Sequence, residues 1–138
     1  GAGTKVEYIA PGNLLDDTES LVTRILAQNK TPFAVVTHND ISAIALMHEF
    51  MNRGLKIPEE VGIVGYDDIA MSALVNPALT TVNQNLEKLA HLAMNSIEAL
   101  LAGEKKLTDT EVLPELVVRD STLKSKVKTA TKAIKKGR

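Results

Sequence analysis

Two short apolar segments, each followed at once by polar residues, constrain the fold of this chain most strongly. Residues 33–37 (Phe-Ala-Val-Val-Thr) and 61–65 (Val-Gly-Ile-Val-Gly) are of strand length and nearly free of polar side chains. Continuous apolar runs of this kind are typical of parallel strands that are covered on both faces. Between them lies a helix pattern that begins at Asn39 or Asp40 and ends at Gly54. This order predicts a βαβ unit with a right-handed crossover.

Each of the two predicted strands ends in a pair of polar residues. Asn39-Asp40 follows the first strand, and Asp67-Asp68 follows the second. In an open parallel sheet, the carboxyl ends of the strands form the edge at which ligands bind. The same residues can instead cap the following helix and begin a turn. Spacing alone leaves both roles open, although it favours the structural one for each pair.

The remaining pattern adds further strands and helices to this unit. Asp16 and Asp17 suit the start of a helix that ends near Asn29, and Asn85 suits the start of a long helix that Gly103 ends. The other elements are a strand at 6–10, an extended segment at 80–82, the long helix at 86–102 and an edge strand at 111–119. We therefore expect an α/β fold in which helices cover a parallel sheet of about four or five strands.

The composition excludes several classes of protein. The chain has no cysteine, which excludes disulfide frameworks and thiolate metal sites, and it has no Trp and only two Tyr and two Phe. No apolar run reaches the length of about 18 residues that a membrane span needs. With 44% hydrophobic and 24% charged residues, the sequence is that of a soluble globular domain, which we expect in the cytoplasm.

Charge is distributed unevenly along the chain. All 17 acidic residues lie at or before Asp120, whereas seven of the 16 basic residues lie in the tail formed by residues 123–138. The body therefore carries about −8 (nine basic and 17 acidic residues) and the tail +7. An acidic body is a poor surface for duplex DNA, since that affinity comes mainly from cations on phosphates. The tail could contact an anion, but a solvated, frayed C-terminus is the simpler interpretation.

No pattern in the chain indicates covalent chemistry. No serine lies in a nucleophile-elbow sequence, no glycine-rich phosphate loop is present, and His38, His48 and His91 lack partners at metal-ligand spacing. We therefore expect no catalytic residue, no metal and no cofactor. One alternative keeps an enzymatic or signalling role, since a flavodoxin-like or receiver-type domain would use Asp67-Asp68 for Mg²⁺ or phosphate. That class needs a further acidic residue at another strand end and usually a lysine.

Five segments of the chain, in the same order, resemble the effector-binding domain of LacI/GalR-type transcription regulators. They are 32–40 (Pro-Phe-Ala-Val-Val-Thr-His-Asn-Asp), 54–61 (Gly-Leu-Lys-Ile-Pro-Glu-Glu-Val), 65–68 (Gly-Tyr-Asp-Asp), 76–82 (Asn-Pro-Ala-Leu-Thr-Thr-Val) and 113–122 (Leu-Pro-Glu-Leu-Val-Val-Arg-Asp-Ser-Thr). The resemblance implies an incomplete lobe of a periplasmic-binding-protein-like type I domain. Residues 4–122 would form the partial effector-binding domain, with 4–84 mostly in the C-terminal lobe and 85–118 packing in the N-terminal lobe. Residues 1–3 (Gly-Ala-Gly) look like a cloning remnant.

The resemblance implies ligand-responsive transcription regulation, in which two lobes close on a small effector such as a sugar or a nucleoside-like compound. The positions that correspond to effector contacts are Asn13, Leu14, Asn39, Asp67 and Gln84. Asp40 and Asp68 keep structural roles in this interpretation. An amide offers donor and acceptor together, and a carboxylate accepts from two neighbouring hydroxyls. A solute-binding protein of a transporter has the same fold and is the main alternative.

The sequence lacks two parts that such regulators contain. No helix-turn-helix pattern and no complete first lobe are present in the 138 residues. The resemblance thus predicts a truncated regulator. We expect it to contact operator DNA only through a domain outside these residues, and to bind its effector with reduced affinity.

Two apolar surfaces predict association between chains. By resemblance, the dimer contact of the family falls on Ala43, Ile44, Met47, Met71, Leu74 and Val75, and helix packing within one lobe is the alternative. The helix at 86–101 carries a broad apolar face, which cannot remain in water. We expect this helix to fold back, to swap between chains or to self-associate, so that the chain forms a homodimer or a swapped assembly.

Overall fold

The computed structural model describes residues 17–104 and 109–122. Predictions for the strand at 6–10, for Asn13 and Leu14, and for the basic tail at 123–138 lie outside these residues. The elements, in chain order, are α1 (Thr18–Gln28), β1 (Phe33–Val36), α2 (Asp40–Asn52), β2 (Val61–Val64), a 3-10 helix (Ala70–Ala73), β3 (Thr81–Asn83), α3 (Leu86–Leu101) and β4 (Glu115–Val117). No helix in this part of the chain has the length and apolarity needed to cross a membrane.

The predicted βαβ unit is present, with β1 and β2 paired in parallel over their whole length. Asn39 begins α2, because its side-chain Oδ1 accepts a hydrogen bond from the N–H of Ser42 at 2.8 Å. After the helix, Gly54 takes the left-handed conformation (φ 83°), which glycine adopts without strain. The unit places the carboxyl ends of both strands, and the polar residues that follow them, at one edge of the sheet.

The strands form two small sheets. β1 and β2 make a parallel sheet, which one bridge between Val64 and Thr80 extends in the same direction. β4 instead pairs antiparallel with β3, because the chain returns beside β3 after α3. β4 is also shorter than predicted, and it begins only after Pro114, which has no N–H to donate to a neighbouring strand. The α/β class is confirmed. The prediction of a single parallel sheet is wrong for β4, which is antiparallel, while the predicted strand at 6–10 lies outside the described residues.

The core lies on one face of the parallel sheet, where α2 packs on β2 and α1 packs on α2. Phe50 of α2 meets Phe33 of β1 edge to face, with ring centroids 5.9 Å apart. On the opposite face Ala34 is exposed and Val36 is 78% exposed. Within 17–104 and 109–122, the prediction that β1 is covered on both faces is therefore wrong, because both neighbouring helices lie on the same side. The buried core residues are Val22, Ile25, Ala43, Leu46, Met47, Phe50, Val61, Ile63 and Leu79.

The helix α3 stands apart from this core. None of its residues is buried, and Leu101 is 83% exposed. The prediction that α3 folds back onto the described part of the chain is therefore wrong, whereas swapping and self-association stay predictions. Asn85 precedes α3 in the left-handed conformation (φ 54°) and does not cap it with its side chain, contrary to expectation. Its Nδ2 donates instead to the carbonyl of Leu113 at 3.1 Å.

Replacing Ile97 with glutamate should reduce self-association of the chain. Ile97 lies in the apolar face of α3, and a carboxylate there would have to be desolvated in any helix–helix contact, which is unfavourable. Light scattering over a range of chain concentrations measures the effect. Asn95→Glu, at an exposed polar position of the same helix, is the control. If the unchanged chain remained monomeric at the highest concentration, the prediction of self-association would be wrong.

Candidate ligand-binding site

The edge at which β1 and β2 end is organised around a buried carboxylate. Asp40 is fully buried. Its oxygens accept hydrogen bonds from the N–H of Ile69 at 3.0 Å, the hydroxyl of Ser72 at 2.6 Å and the hydroxyl of Thr81 at 2.5 Å. Its own N–H donates to the carbonyl of Tyr66 at 2.8 Å. Asp40 thus joins α2 to the loop after β2 and to β3, so its predicted structural role is confirmed by contacts that extend well beyond a helix cap.

Gly65, at the end of β2, lies directly against this carboxylate. A Cβ on Gly65 would collide with Oδ1 of Asp40 and would lie 3.0 Å from Cδ2 of Leu79. The N–H of Gly65 donates to the carbonyl of Thr80 at 2.9 Å, so the backbone cannot move away without losing that bond. The approach of the Asp40 side chain to the strand end therefore requires a glycine at position 65.

The loop after β2 has an uncommon backbone conformation. Asp67 and Asp68 both lie at positive φ, with values of 111° and 51°. Residues that carry a Cβ rarely adopt such conformations, so the surroundings must hold them there. The N–H of Asp67 donates to the carbonyl of Val82 at 2.9 Å, which fixes the loop against β3. Both carboxylates are thereby brought to the segment that follows β3.

Asp67 meets Gln84, the residue after β3. Nε2 of Gln84 donates to Oδ1 of Asp67 at 2.6 Å, and both side chains are half-buried. Neither Oδ2 of Asp67 nor Oε1 of Gln84 accepts a hydrogen bond from the described residues. Two of the predicted effector-contact residues are therefore in direct contact, and within residues 17–104 and 109–122 each has one acceptor oxygen without a hydrogen bond.

An open cleft of about 590 Å³ lies beside this pair. The loop after β2, the end of β3 and the first turns of α3 form its walls. The lining residues are Asp67, Asp68, Asn83, Asn85, Leu86, Glu87, Lys88, His91 and Leu92. Carboxylates, amides, one ammonium group and one imidazole line the cleft, which therefore suits a ligand with several hydrogen-bonding groups.

Asp68 holds the loop from its other side. Its Oδ1 accepts from a guanidinium nitrogen of Arg119 at 2.6 Å, and its Oδ2 accepts from Nδ2 of Asn83 at 2.8 Å. Both oxygens are engaged, so the predicted structural role of Asp68 is confirmed. Sequence reasoning missed Asn83 and Arg119. The polar run at 83–85 between a strand and a helix could have indicated Asn83, but Arg119 lies 51 residues from its partner and gave no such signal.

Residues 4–122 match the family of periplasmic binding protein-like domains. The chain belongs to this family. The HTH-type transcriptional repressor PurR of Vibrio parahaemolyticus serotype O3:K6 is 33% identical over 120 residues, which are 86% of this chain and 36% of the repressor. The chain thus spans about a third of the length of the curated relatives it matches, and it corresponds to part of the effector-binding domain of a LacI-type regulator.

Solved structures give the same assignment. A periplasmic binding protein/LacI transcriptional regulator from Alkaliphilus metalliredigens, complexed with D-xylulofuranose, superposes with a TM-score of 0.59 and 33% identity over 65% of this chain and 34% of that one. The lac repressor dimer bound to operator and the anti-inducer ONPF superposes with a TM-score of 0.68 and 25% identity, over 80% of this chain and 37% of the repressor.

In this LacI-type domain, Asn39 does not line the cleft beside Asp67. Its Oδ1 caps α2, and its Nδ2 lies 3.1 Å from Nε2 of the exposed His38. The capping role, one of the two considered for this residue, is confirmed. An effector contact through the Nδ2 group stays a prediction.

The predicted dimer residues of the LacI-type domain fall into two groups. Ala43 and Met47 are buried in the core, and Ile44 and Val75 are half-buried against it. These four residues pack within the lobe, as the alternative interpretation predicted. Ala43 and Met47 cannot form part of a dimer surface, because a partner cannot reach buried side chains. Met71 and Leu74 are exposed and remain available for such a contact.

The acidic loop of this LacI-type domain does not suit Mg²⁺. The guanidinium of Arg119 already places a positive charge 2.6 Å from Oδ1 of Asp68, and a second cation there would be repelled. Within 17–104 and 109–122, no three His, Asp or Glu residues are grouped as a metal site requires. The flavodoxin-like and receiver-type alternative is therefore disfavoured. The transporter alternative is disfavoured by relatives that are named as transcriptional repressors.

Proposed function

We propose that the whole protein is a ligand-responsive transcription regulator, and that the cleft beside Asp67 receives its effector. The observation that carries the proposal is the Asp67–Gln84 pair, closed at 2.6 Å at the carboxyl edge of the strands, where α/β sheets bind ligands. Two relatives support the regulatory role, since one is named an HTH-type transcriptional repressor and another was solved on operator DNA.

The lining of the cleft favours a polyhydroxylated ligand. Asp67 lines the cleft, and Gln84 adjoins it through its hydrogen bond to Asp67. Oδ2 of Asp67 and Oε1 of Gln84 are acceptors that two neighbouring hydroxyl groups would satisfy together. The imidazole of His91 is the one ring in the described lining, so the cleft offers little surface for stacking a nucleobase. A structural neighbour holds D-xylulofuranose, a sugar, which agrees with this choice. Asn39 is a further proposed contact, and Asn13 and Leu14 keep the contacts that the resemblance gave them.

The regulatory mechanism follows from where these groups sit. Asp67 belongs to the lobe built by the βαβ unit, whereas Lys88 and His91 belong to α3, which stands apart from its core. A ligand held between the two would favour the arrangement in which both contact it, and so would shift the balance of open and closed states. DNA-binding segments joined to the domain would respond to that shift. Such a regulator acts on DNA in the cytoplasm, and no covalent chemistry is involved.

The exposed pair Met71 and Leu74 is the proposed remainder of the dimer contact. The two residues are 53% and 77% exposed on and beside the 3-10 helix, directly after the acidic loop. The lac repressor was solved as a dimer, which supports association of two copies in this family. A dimer contact here would lie on the segment that follows the acidic loop in the chain, so that ligand and partner could influence one another through that loop.

Titration of the 138-residue chain with single sugars and single nucleosides tests the proposed function. We expect at least one pentose or hexose to shift the NMR signals of the Asp67 backbone amide and the Gln84 side-chain amide. Nucleosides should shift them less, because the cleft lacks a stacking surface. Asp67→Asn should weaken sugar binding without unfolding the chain, since Asp67 is outside the core.

A magnesium titration provides the contrasting result. Signals of Asp67 and Asp68 that move with Mg²⁺ but with none of the sugars would contradict the proposal and favour the receiver-type alternative. Sugar binding that moves signals elsewhere, with Asp67 and Gln84 unchanged, would contradict the assignment of the cleft.

A further inference from the structure

A second acid–amide pair lies beside the Asp67–Gln84 pair. Nδ2 of Asn83 donates to Oδ2 of Asp68 at 2.8 Å, next to the bond of 2.6 Å from Gln84 to Asp67. The two acids are consecutive on the loop after β2, and the two amides are consecutive at the end of β3. The acidic loop and the end of β3 are therefore joined by two pairs of side chains. In the Asp67–Gln84 pair, Oδ2 of Asp67 has no hydrogen bond from the described residues. In the Asp68–Asn83 pair, both oxygens of Asp68 are engaged.

Arg119 extends this second pair to a third segment. It donates to Oδ1 of Asp68 at 2.6 Å, and its other terminal nitrogen donates to the carbonyl of Leu79 at 2.8 Å. Its backbone N–H donates to the hydroxyl of Thr80 at 2.8 Å. The side chains of Arg119 and Asp68 are only 19% and 14% exposed, so water screens their charges less than it would at the surface. Arg119 thus fixes the segment after β4 to both the acidic loop and the start of β3.

The network also reaches the beginning of α3. Oδ1 of Asn83 accepts from the N–H of Asn85 at 2.6 Å, and Asn85 is the left-handed residue from which α3 begins. Nδ2 of Asn85 then donates to the carbonyl of Leu113, just before β4. The chain leaves the core towards α3 through β3 and returns through β4. Asp68 is therefore connected to both of these strands.

We propose that Asp68, Asn83 and Arg119 are positioning residues, which hold Asp67 and Gln84 in register and couple a ligand at Asp67 to the directions of β3 and β4. This inference rests on the proposed function only for the ligand. The positive φ of both acidic residues must be imposed by their contacts, and the contacts of Asp68 supply that constraint next to Asp67. Without them the loop would relax, and the carboxylate of Asp67 would leave Gln84.

Hydrogen exchange measured by NMR on the full chain, with no ligand, tests the coupling. In Asp68→Asn, we expect the amide of Asp67, which donates to Val82, to exchange at least about tenfold faster, because a charge-assisted hydrogen bond is lost. The side-chain amide signal of Gln84 should move at the same time. Arg119→Lys keeps the positive charge, but lysine lacks the planar guanidinium that donates to both Asp68 and the carbonyl of Leu79. This variant should give the same pattern more weakly.

Glu115→Gln, an exposed carboxylate on β4, is the control and should leave both signals unchanged. A purely stabilising role predicts a different pattern. Exchange of the amides of α2 and β2 would then speed up by the same factor as that of the Asp67 amide, and the Gln84 signal would not move. That pattern in Asp68→Asn and Arg119→Lys would overturn the proposal.

Sugar titration of the same variants separates this proposal from the proposed function. If no sugar binds the unchanged chain but the exchange result is obtained, the effector assignment fails and the positioning role stands. If a sugar binds equally well to the unchanged chain and to Asp68→Asn while Asp67→Asn abolishes binding, the ligand site stands and the positioning role is overturned.

Discussion

Replacing Asp40 with asparagine should destabilise the chain by about 3–5 kcal/mol, because three donors then compete for a neutral amide that presents its own NH₂ group to them. The carboxylate is fully buried, so water cannot substitute for the lost acceptor. A domain of this size has a free energy of unfolding of about 5–15 kcal/mol, so the loss would be a large part of it. Urea unfolding followed by circular dichroism measures the change.

Asp109→Asn is the matched control, since it makes the same chemical change at an exposed position and should alter stability very little. Thr81→Val tests the mechanism behind the effect. Its cost should be much smaller in the Asp40→Asn background than in the unchanged chain, because the two residues share a hydrogen bond. Equal costs in both backgrounds, or an unfolding midpoint for Asp40→Asn close to that of Asp109→Asn, would contradict this account of the edge.

Gly65→Ala should also destabilise the chain, by about 3 kcal/mol. The added methyl group would collide with Oδ1 of Asp40 and crowd Leu79, so the Asp40 side chain must rotate away from its donors. The hydrogen bond from Gly65 to Thr80 prevents the strand end from yielding instead. Differential scanning calorimetry should find a clearly lower Tm for this variant.

Gly62→Ala provides a close comparison, because the two glycines lie in and just after the same strand. A Cβ on Gly62 would meet only the Cβ of Ala34 at 3.7 Å, an ordinary contact on the uncovered face of the sheet. Its stability should stay within about 1 kcal/mol of the unchanged chain. If Gly65→Ala and Gly62→Ala lowered the stability by similar amounts, glycine would be needed at both positions for its backbone. The contact between position 65 and Asp40 would then not explain the loss in Gly65→Ala.

Local patterns predicted much of the βαβ unit. The apolar runs at 33–37 and 61–65 gave β1 and β2, and the Asn39–Gly54 boundaries gave α2 almost to the residue. Such signals are readable because a helix cap or a strand depends on neighbours a few positions away. The Asp67–Gln84 contact was not predicted, since 17 residues separate the two side chains, although the resemblance gave each of them separately as an effector contact.

The role of Asp40 could not be read from spacing. Its partners lie 29, 32 and 41 residues further along the chain, and no local pattern distinguishes a buried carboxylate from a helix cap. The prediction that β1 is covered on both faces failed for a related reason. Val36 is apolar whether or not anything covers it, so its identity does not tell which face of the sheet carries the helices.

The apolar face of α3 illustrates a third limit. Its leucines, Met94 and Ile97 recur at helical spacing, which predicted the helix correctly and required that something cover it. The pattern does not specify the partner surface, and the described part of the chain does not provide one. The role of Arg119 could not be predicted for the same reason. A single arginine after a strand gives no sign of its partner, and only the structure shows that it pairs with Asp68.

The affinity of one sugar, measured for the unchanged chain and for Asp67→Asn by NMR titration, tests the central claim most directly. Asp67 is the residue at which the sheet edge, the cleft and the Gln84 contact meet. We expect binding to weaken at least about tenfold in Asp67→Asn, since a hydrogen bond to a carboxylate is lost, and to stay unchanged in Glu111→Gln, an exposed control. Equal affinity for the unchanged chain and Asp67→Asn would contradict the claim that this edge holds the effector.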